Sequence, residues 1–325
     1  MADKGKLATV FGGSGFVGRH IVWSLARRGY RVRAAVRRPD LAGYLQPMGV
    51  VGQIFPVQAN LRFADSIDRA VDGADIVINA VGILAPTGAQ TFAAIHTEGA
   101  ERVAKAAKAA GAKRLVHISA IGADKSSPAL YARTKALGEE ATLAEFPSAV
   151  ILRPSIVFGP EDDFFNRFAA MARISPFLPL IGGGRTKFQP VFVGDVGHAA
   201  AAAGVGDAGA PGTIYELGGP EVLSFRDLLK ATLEYSDRKR LLLPVPFWAA
   251  KLLAALTWPL PNGIRPMTVD QVRLLQKDNV VSEAAKSSGR TISALDVARP
   301  AAVDAIVPGY LERFKPRGQY AHYHP

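Results

Sequence analysis

Three side chains near the middle of this 325-residue chain have the types and spacing for acid–base chemistry. Tyr131-Ala-Arg-Thr-Lys135 sets a phenol and an ammonium four residues apart, on one face of a helix. A neighbouring cation favours phenolate and lowers a tyrosine pKa toward a useful range. Ser119 closes the preceding apolar strand, Arg114-Leu-Val-His-Ile-Ser119, where its hydroxyl could bridge a substrate oxygen to that phenol. The pattern Y-x-x-x-K is common by itself. Its place on the helix after a fifth parallel strand gives it weight. Such a set works beside a hydride donor, and the start of the chain offers a seat for one.

Leu7-Ala-Thr-Val-Phe-Gly12-Gly13-Ser14-Gly15-Phe16-Val17-Gly18-Arg19 runs from a short apolar strand through a glycine-rich turn into a helix. Glycines 12, 15 and 18 give G-x-x-G-x-x-G, and glycines 13, 15 and 18 also satisfy G-x-G-x-x-G. Without Cβ atoms the backbone can turn sharply and press its N–H groups against a pyrophosphate. The helix that follows points its positive end at the same phosphates. The next strand ends at Arg37-Arg38, about where an NAD site places an acid for the ribose 2′-hydroxyl. Two guanidiniums there suit a 2′-phosphate, which favours NADPH, and Arg19 can join them. From Arg19 to Arg38 there are seven arginines and no acid. With a dinucleotide in place, Tyr131 and Lys135 have a second reading, in which they hold only the nicotinamide ribose.

Strand and helix patterns alternate through the first half. Strands are expected at 52–59, 75–82, 114–119 and 149–153, and helices at 63–71, 91–110 and 128–145. This alternation predicts an α/β fold with a doubly wound parallel Rossmann sheet. Beyond about residue 160 the regularity fades. Residues 1–160 are assigned to the dinucleotide-binding domain, with part of 185–220 returning to it. Residues 161–325 mainly form a smaller, discontinuous C-terminal cap lobe. Within it, Leu241 to Pro261 is nearly uncharged and carries Trp248, Lys251 and Trp258. Its four prolines leave about a dozen helical residues, short of the ~20 that span a bilayer. It fits an interfacial patch or a core helix of the small lobe.

Composition narrows the classes. Hydrophobic residues are 49% and charged residues 21%, as in a well-cored globular protein. There is no cysteine, which excludes disulfides, thiolate metal sites and cysteine nucleophiles. The first strand begins near residue 6, leaving no space for a signal or transit peptide, so the protein is expected to stay where it is made. The net charge of +11 fits an anionic membrane surface or an acidic partner. No nucleic-acid motif accompanies it. His96 and His117 read as satisfied or exposed, and Asp162-Asp163 as a solvated loop or a helix start. The tail Tyr320-Ala-His322-Tyr-His324 has no metal-ligand context, and no metal is expected.

Gly12-x-x-Gly15-x-x-Gly18, Asn79-Ala80-Val81-Gly82, Ser119, Tyr131-x-x-x-Lys135 and Arg153-Pro154-Ser155-Ile156-Val-Phe-Gly159 together resemble the extended and atypical short-chain dehydrogenase/reductases. The resemblance implies that the Asn79 strand end lies along the cofactor and that Pro154-Ser155-Ile156 meets the nicotinamide. Asn60 and Leu61 complete the expected cofactor contacts. A narrower likeness rests on Pro47-Met-Gly-Val-Val-Gly52, Asp65-Ser-Ile-Asp-Arg-Ala-Val71, Phe158-Gly-Pro-Glu-Asp-Asp-Phe-Phe-Asn166, Gln189-Pro-Val-Phe-Val-Gly-Asp195 and the proline-flanked 241–261 segment. These are similar to the NADPH-binding accessory subunits of respiratory complex I. That likeness implies tightly held NADPH without established turnover, and complex I partners near the quinone site. The expected location is peripheral, on the cytoplasmic face of a bacterial inner membrane. Two other functions stay open. One is a free NADPH-dependent reductase or epimerase, with quinone metabolism as one setting, and the other is a sensor of NADPH occupancy.

Overall fold

The computed structural model describes residues 6–257 and 267–316. The chain divides into two compact units. The first comprises Met1–Pro154, Val193–Leu217 and Val281–Arg299. The second comprises Ser155–Phe192, Gly218–Val280 and Pro300–Pro325.

In the first unit, β1 (Leu7–Phe11), α1 (Phe16–Arg27), β2 (Arg31–Val36), β3 (Ile54–Gln58), α2 (Ala64–Val71) and β4 (Ile76–Asn79) follow one another. Then come α3 (Glu98–Ala109), β5 (Arg114–Ile118), α4 (Leu130–Glu145) and β6 (Val150–Pro154). Later, α5 (Val193–Val205) and β7 (Ile214–Leu217) return to this unit. The seven strands form one sheet in the order β7-β6-β5-β4-β1-β2-β3, and every pairing is parallel. The expected doubly wound Rossmann-like sheet is therefore observed. The chain runs outward from β1 to β3 and then crosses back to β4 on the other side of β1. Such a reversal opens a crevice at the strands' carboxyl ends, the usual ligand position in open α/β sheets.

Helices cover both faces because the central strands are buried on both. On one face α5 crosses α1 so closely that a Cβ on Gly197 would lie 2.8 Å from His20. The run Ala199–Ala203 of α5 is wholly buried. On the other face Phe11, Ile67, Val77, Val103, Leu115 and Ile151 belong to one core cluster. Burying each such side chain contributes about 1.5–3 kcal/mol. Before α3 the backbone widens into a π-helical turn, Ala93–Thr97, and α4 packs directly on it. A Cβ on Gly138 of α4 would sit 2.0 Å from the His96 carbonyl oxygen.

The second unit is built on phenylalanine. Phe158, Phe164, Phe165, Phe168, Phe188 and Phe225 contact one another mostly edge to face, with centroids 5.1–6.4 Å apart. Three short strand pairs flank this core, Val157–Phe158 with Val191–Phe192, Lys187–Phe188 with Leu223–Ser224, and Phe177–Ile181 with Leu241–Val245. Asp162 takes the second of its two expected roles. It is buried, accepts the Asn166 N–H at the start of helix Phe164–Ile174, and accepts the Tyr310 hydroxyl. Burial pushes its carboxyl above the usual range.

The 241–261 segment is not one helix. Leu241–Val245 is a strand and Phe247–Leu256 a helix, while Trp258 to Pro261 lie outside the described residues. That helix buries its small residues Ala250 and Ala254 and turns Trp248 (71% exposed), Leu252 and Leu256 outward. Among the described residues no helix is long and apolar enough to cross a membrane.

The contact between α4 and the π-helical turn predicts that Gly138→Ala destabilises the protein by at least about 1–3 kcal/mol, the usual cost of overpacking. Urea denaturation of the wild type and variant checks this, with an unchanged midpoint counting against the close contact.

Candidate functional site

The site begins at the glycine turn. Gly12 has φ +75°, and its N–H donates to the Ala35 carbonyl of β2 at 2.9 Å. Gly15 N–H closes back on the Gly12 carbonyl at 2.8 Å and caps α1. A Cβ on Gly18 would lie 2.0 Å from the Gly12 oxygen, so only glycine lets α1 start this close to the turn. No acidic residue occupies the first turn of α1. The helix dipole is thus unopposed at the turn, which suits an anion. Phe16 and Val17 are the first residues of α1. Arg19 donates to the Gly15 and Ser14 carbonyls and lies over the Tyr44 ring at 5.0 Å. Tyr44 in turn donates its hydroxyl to Ser14 O at 2.6 Å, so the turn is braced from outside.

β4 brings the opposite wall. A Cβ on Gly12 would meet Ala80 and Val81 at 3.2 Å. Asn79 holds this bend by accepting the Val81 N–H, while its amide faces His117 Nδ1 at 3.3 Å. Gly82 is open toward the Lys135 ammonium, which a Cβ there would approach to 3.4 Å. The glycine turn, the Ala80-Val81-Gly82 strand end and Lys135 therefore converge at the crevice, although they come from distant parts of the chain.

The two arginines after β2 separate. Arg38 is bound to Asp40 by hydrogen bonds of 2.7–3.2 Å. Arg37 makes no hydrogen bond or ion pair among the described residues and lines a cleft of about 360 Å³ with Gln58, Asn60, Phe63, Asp65, Ser66 and Arg69. Asn60 accepts the Arg62 N–H, and Leu61 is buried with its carbonyl accepting from Arg102.

The acid–base set is arranged differently from the simple expectation. Lys135 is buried and donates to the Ile118 carbonyl at 3.0 Å. Burial lowers its pKa to about 8, against a partial counter-pull from Glu139. Tyr131 packs edge-on against His96 (5.3 Å) and Phe92 (6.0 Å). The expected lowering of its pKa does not hold in this structure. Burial outweighs any cation and lifts the phenol to about 12. Ser119 is buried and donates its hydroxyl to the Glu139 carboxylate, which Arg153 clamps at 2.6 and 2.9 Å. Its proton points away from the role of substrate donor. The expectations at 154–156 fall in two units. Pro154 ends β6, whereas Ser155 and Ile156 belong to the second unit and are held by Asn279 at 2.8–2.9 Å.

Three residues here escaped the sequence reading as site components. Glu139 had a legible signal, since it lies four residues beyond Lys135 on the Tyr131 face of α4. His96 and His117 gave none. His96 is buried, accepts the Ile83 N–H at 3.1 Å and pairs with Thr134. Burial, then the Lys135 charge, lowers His96 to about 2 and His117 to about 3. Among the described residues no cluster of His, Asp or Glu could hold a metal, and His322 and His324 lie outside them.

The profile of the NAD dependent epimerase/dehydratase family matches residues 8–218. The chain belongs to that family. It is also 38% identical to the mitochondrial NADH dehydrogenase (ubiquinone) 1 alpha subcomplex subunit 9 of Arabidopsis thaliana, over 86% of this chain and 72% of that protein. To the mitochondrial NADH-ubiquinone oxidoreductase 40 kDa subunit of Neurospora crassa it is 32% identical, over 97% of this chain and 81% of that one. The chain is thus homologous to accessory subunits of respiratory complex I, as its narrower motifs implied. Among solved structures, the NADPH-dependent quinone oxidoreductase QOR2 of Escherichia coli superposes with a TM-score of 0.71 at 20% identity, over 94% of this chain and 99% of that one. That likeness establishes the fold. The family supports a nicotinamide cofactor.

Both buried histidines are neutral in the folded protein and take up protons near pH 6.5 when unfolded. Stability is therefore full above pH 6.5 and falls as the pH drops toward 3, because the unfolded state binds the extra protons. The melting temperature should decline across this window, and His117→Asn should flatten the decline. A wild-type profile flat from pH 7 to 4 would contradict the buried neutral state.

Proposed function

We propose that this chain is an accessory subunit of respiratory complex I that grips NADPH tightly as a structural group. The observation carrying this reading is the likeness to complex I subunits along nearly the whole chain. The residues present fit the cofactor. Residues 12–18 supply a turn that glycines alone can make and a helix start free of acids. In this reading Gly12, Gly13, Ser14, Gly15 and Gly18 receive the pyrophosphate, with Phe16, Val17 and Arg19 beside them. Arg37 faces the 2′-phosphate, Asn60 and Leu61 the adenine side, and Ala80, Val81 and Gly82 the crevice wall. Tyr131 and Lys135 hold the ribose, and Pro154, Ser155 and Ile156 meet the nicotinamide end.

The structural role of the cofactor is favoured by Ser119 and Tyr131. A bound NADPH supplies a hydride, and reduction of a carbonyl then needs a proton donor and a polarising hydroxyl. Ser119 has committed its proton to Glu139, and Tyr131 is shifted away from ready ionisation. The outward Trp248, Leu252 and Leu256 fit a subunit that docks, and the net charge of +11 fits a partner or surface of opposite sign. We place the protein peripherally at the cytoplasmic face of a bacterial inner membrane, close to the quinone-reducing arm.

Fractionation of membranes in mild detergent tests this assignment. The protein should co-migrate with NADH:ubiquinone oxidoreductase activity and release NADPH on acid-free denaturation. Migration only as a free soluble species would overturn it. A second reading, a free NADPH-dependent reductase or epimerase, rests on the presence of Ser119, Tyr131 and Lys135 in the sequence. It predicts a substrate that oxidises bound NADPH, and Tyr131→Phe should then cut turnover about 100-fold or more while sparing NADPH affinity.

A further inference from the structure

The cleft beyond β2 and β3 divides the basic residues of this region into two groups. Arg33 donates to the Ala70 and Asp72 carbonyls, Arg102 pairs with Glu98 and the Leu61 carbonyl, and Arg62 lies over the Phe63 ring. Arg38 is held by Asp40 through both carboxylate oxygens. Arg37 and Arg69 are the two cleft arginines, and neither side chain makes a hydrogen bond or ion pair among the described residues.

Position connects this cleft to the glycine turn. Gly12 is tied to Ala35, two residues before Arg37, and Val36 is the register partner of Gln58 in β3. Neighbouring strands lie about 4.8 Å apart. The cleft therefore opens one to two strand spacings from the turn, the reach of a ribose from its pyrophosphate. Its volume of about 360 Å³ is within the range of small-ligand sites. Arg69 enters from α2, one turn after Asp65, and the two arginines outweigh that single carboxylate.

We infer that Arg69, together with Arg37, forms the clamp for the cofactor's 2′-phosphate, and that Arg38 does not. This rests on the proposal that the cofactor is NADPH. A 2′-phosphate carries close to two negative charges at neutral pH, and two unpaired guanidiniums match it in charge and in hydrogen-bonding fork. Arg38 is poorly suited. It does not line the cleft, and its guanidinium is already held by Asp40. The sequence pair Arg37-Arg38 is thus split, with the second cation coming from a helix about thirty residues later.

Calorimetric titration with 2′,5′-ADP and with 5′-AMP, which lacks the 2′-phosphate, tests the clamp on the full chain freed of bound nucleotide. Arg69→Gln and Arg37→Gln should each weaken 2′,5′-ADP by about 10–100-fold, as expected for a charged hydrogen bond, and leave 5′-AMP unchanged. Arg38→Gln should stay within about 3-fold of wild type. Arg69→Lys should recover part of the loss. Loss of 2′,5′-ADP binding in Arg38→Gln with none in Arg69→Gln would overturn the clamp while leaving the NADPH reading intact. A wild type that binds 5′-AMP as tightly as 2′,5′-ADP would overturn both.

Discussion

The structure of the first unit depends on how closely α1 can begin beside the turn that precedes it. A Cβ at position 18 would overlap the Gly12 carbonyl, and one at position 12 would press on Ala80 and Val81. Removing side-chain atoms from these places lets three backbones approach at once, those of the turn, of α1 and of the β4 end. The result is a surface of N–H groups at a helix start with no local acid. A site for a pyrophosphate needs no dedicated cation under these conditions, because backbone and dipole provide the positive potential. In the proposed reading, the arginines are then left to read the parts of the ligand that vary between cofactors.

A second buried feature governs what the site can do once filled. Glu139 and Arg153 form a bidentate pair with Glu139 almost wholly out of solvent. A lone buried carboxylate is costly, so the pair must stay intact. Glu139 reaches Ser119 as well, and its charge partly offsets the desolvation of Lys135 one helical turn away. Tyr131, Lys135 and Glu139 thus form one stripe of α4 with graded roles. The glutamate end is locked into the sheet, and the tyrosine end faces a π-helical turn carrying His96. A π-helical turn is rare and is often found at functional sites.

Much of this was legible. The strand–helix alternation gave the parallel sheet because strands buried on both faces are continuous apolar runs, as in Val10-Phe11 and Ile76-Val77-Ile78. The glycine spacing was legible because it encodes a steric requirement. The direction of the Tyr131 shift was not, because spacing along a helix reports proximity to Lys135 but not the loss of water around both. The fate of Arg38 was hidden in a partner two residues away whose side chain could equally have faced solvent. The return of Val281–Arg299 to the first unit also left no periodic signal, since that segment contains only short helical turns. In the 241–261 segment, apolar composition was plain, but which side faced the core was not. The small residues went inward because the helix lies tight on its unit, and the large ones were left outside.

These features bear jointly on whether the cofactor is consumed. An enzyme gains rate only from interactions that strengthen in the transition state, and uniform grip on the ground state lowers turnover once product must leave. Here the strong features are all of the uniform kind. They include a sterically closed glycine turn and a lysine fixed to a backbone carbonyl and, in the proposed reading, arginines that face a phosphate remote from the reacting carbon. The groups that would act in the transition state are instead occupied or shifted, Ser119 by Glu139 and Tyr131 by burial. The glycine turn of a nicotinamide-dependent family is thus present beside a Ser119 buried on Glu139 and a Tyr131 whose pKa is raised. A ligand present far above its dissociation constant adds several kcal/mol to the folded state for as long as it remains bound, so a cofactor gripped but not consumed would stabilise the unit that holds it.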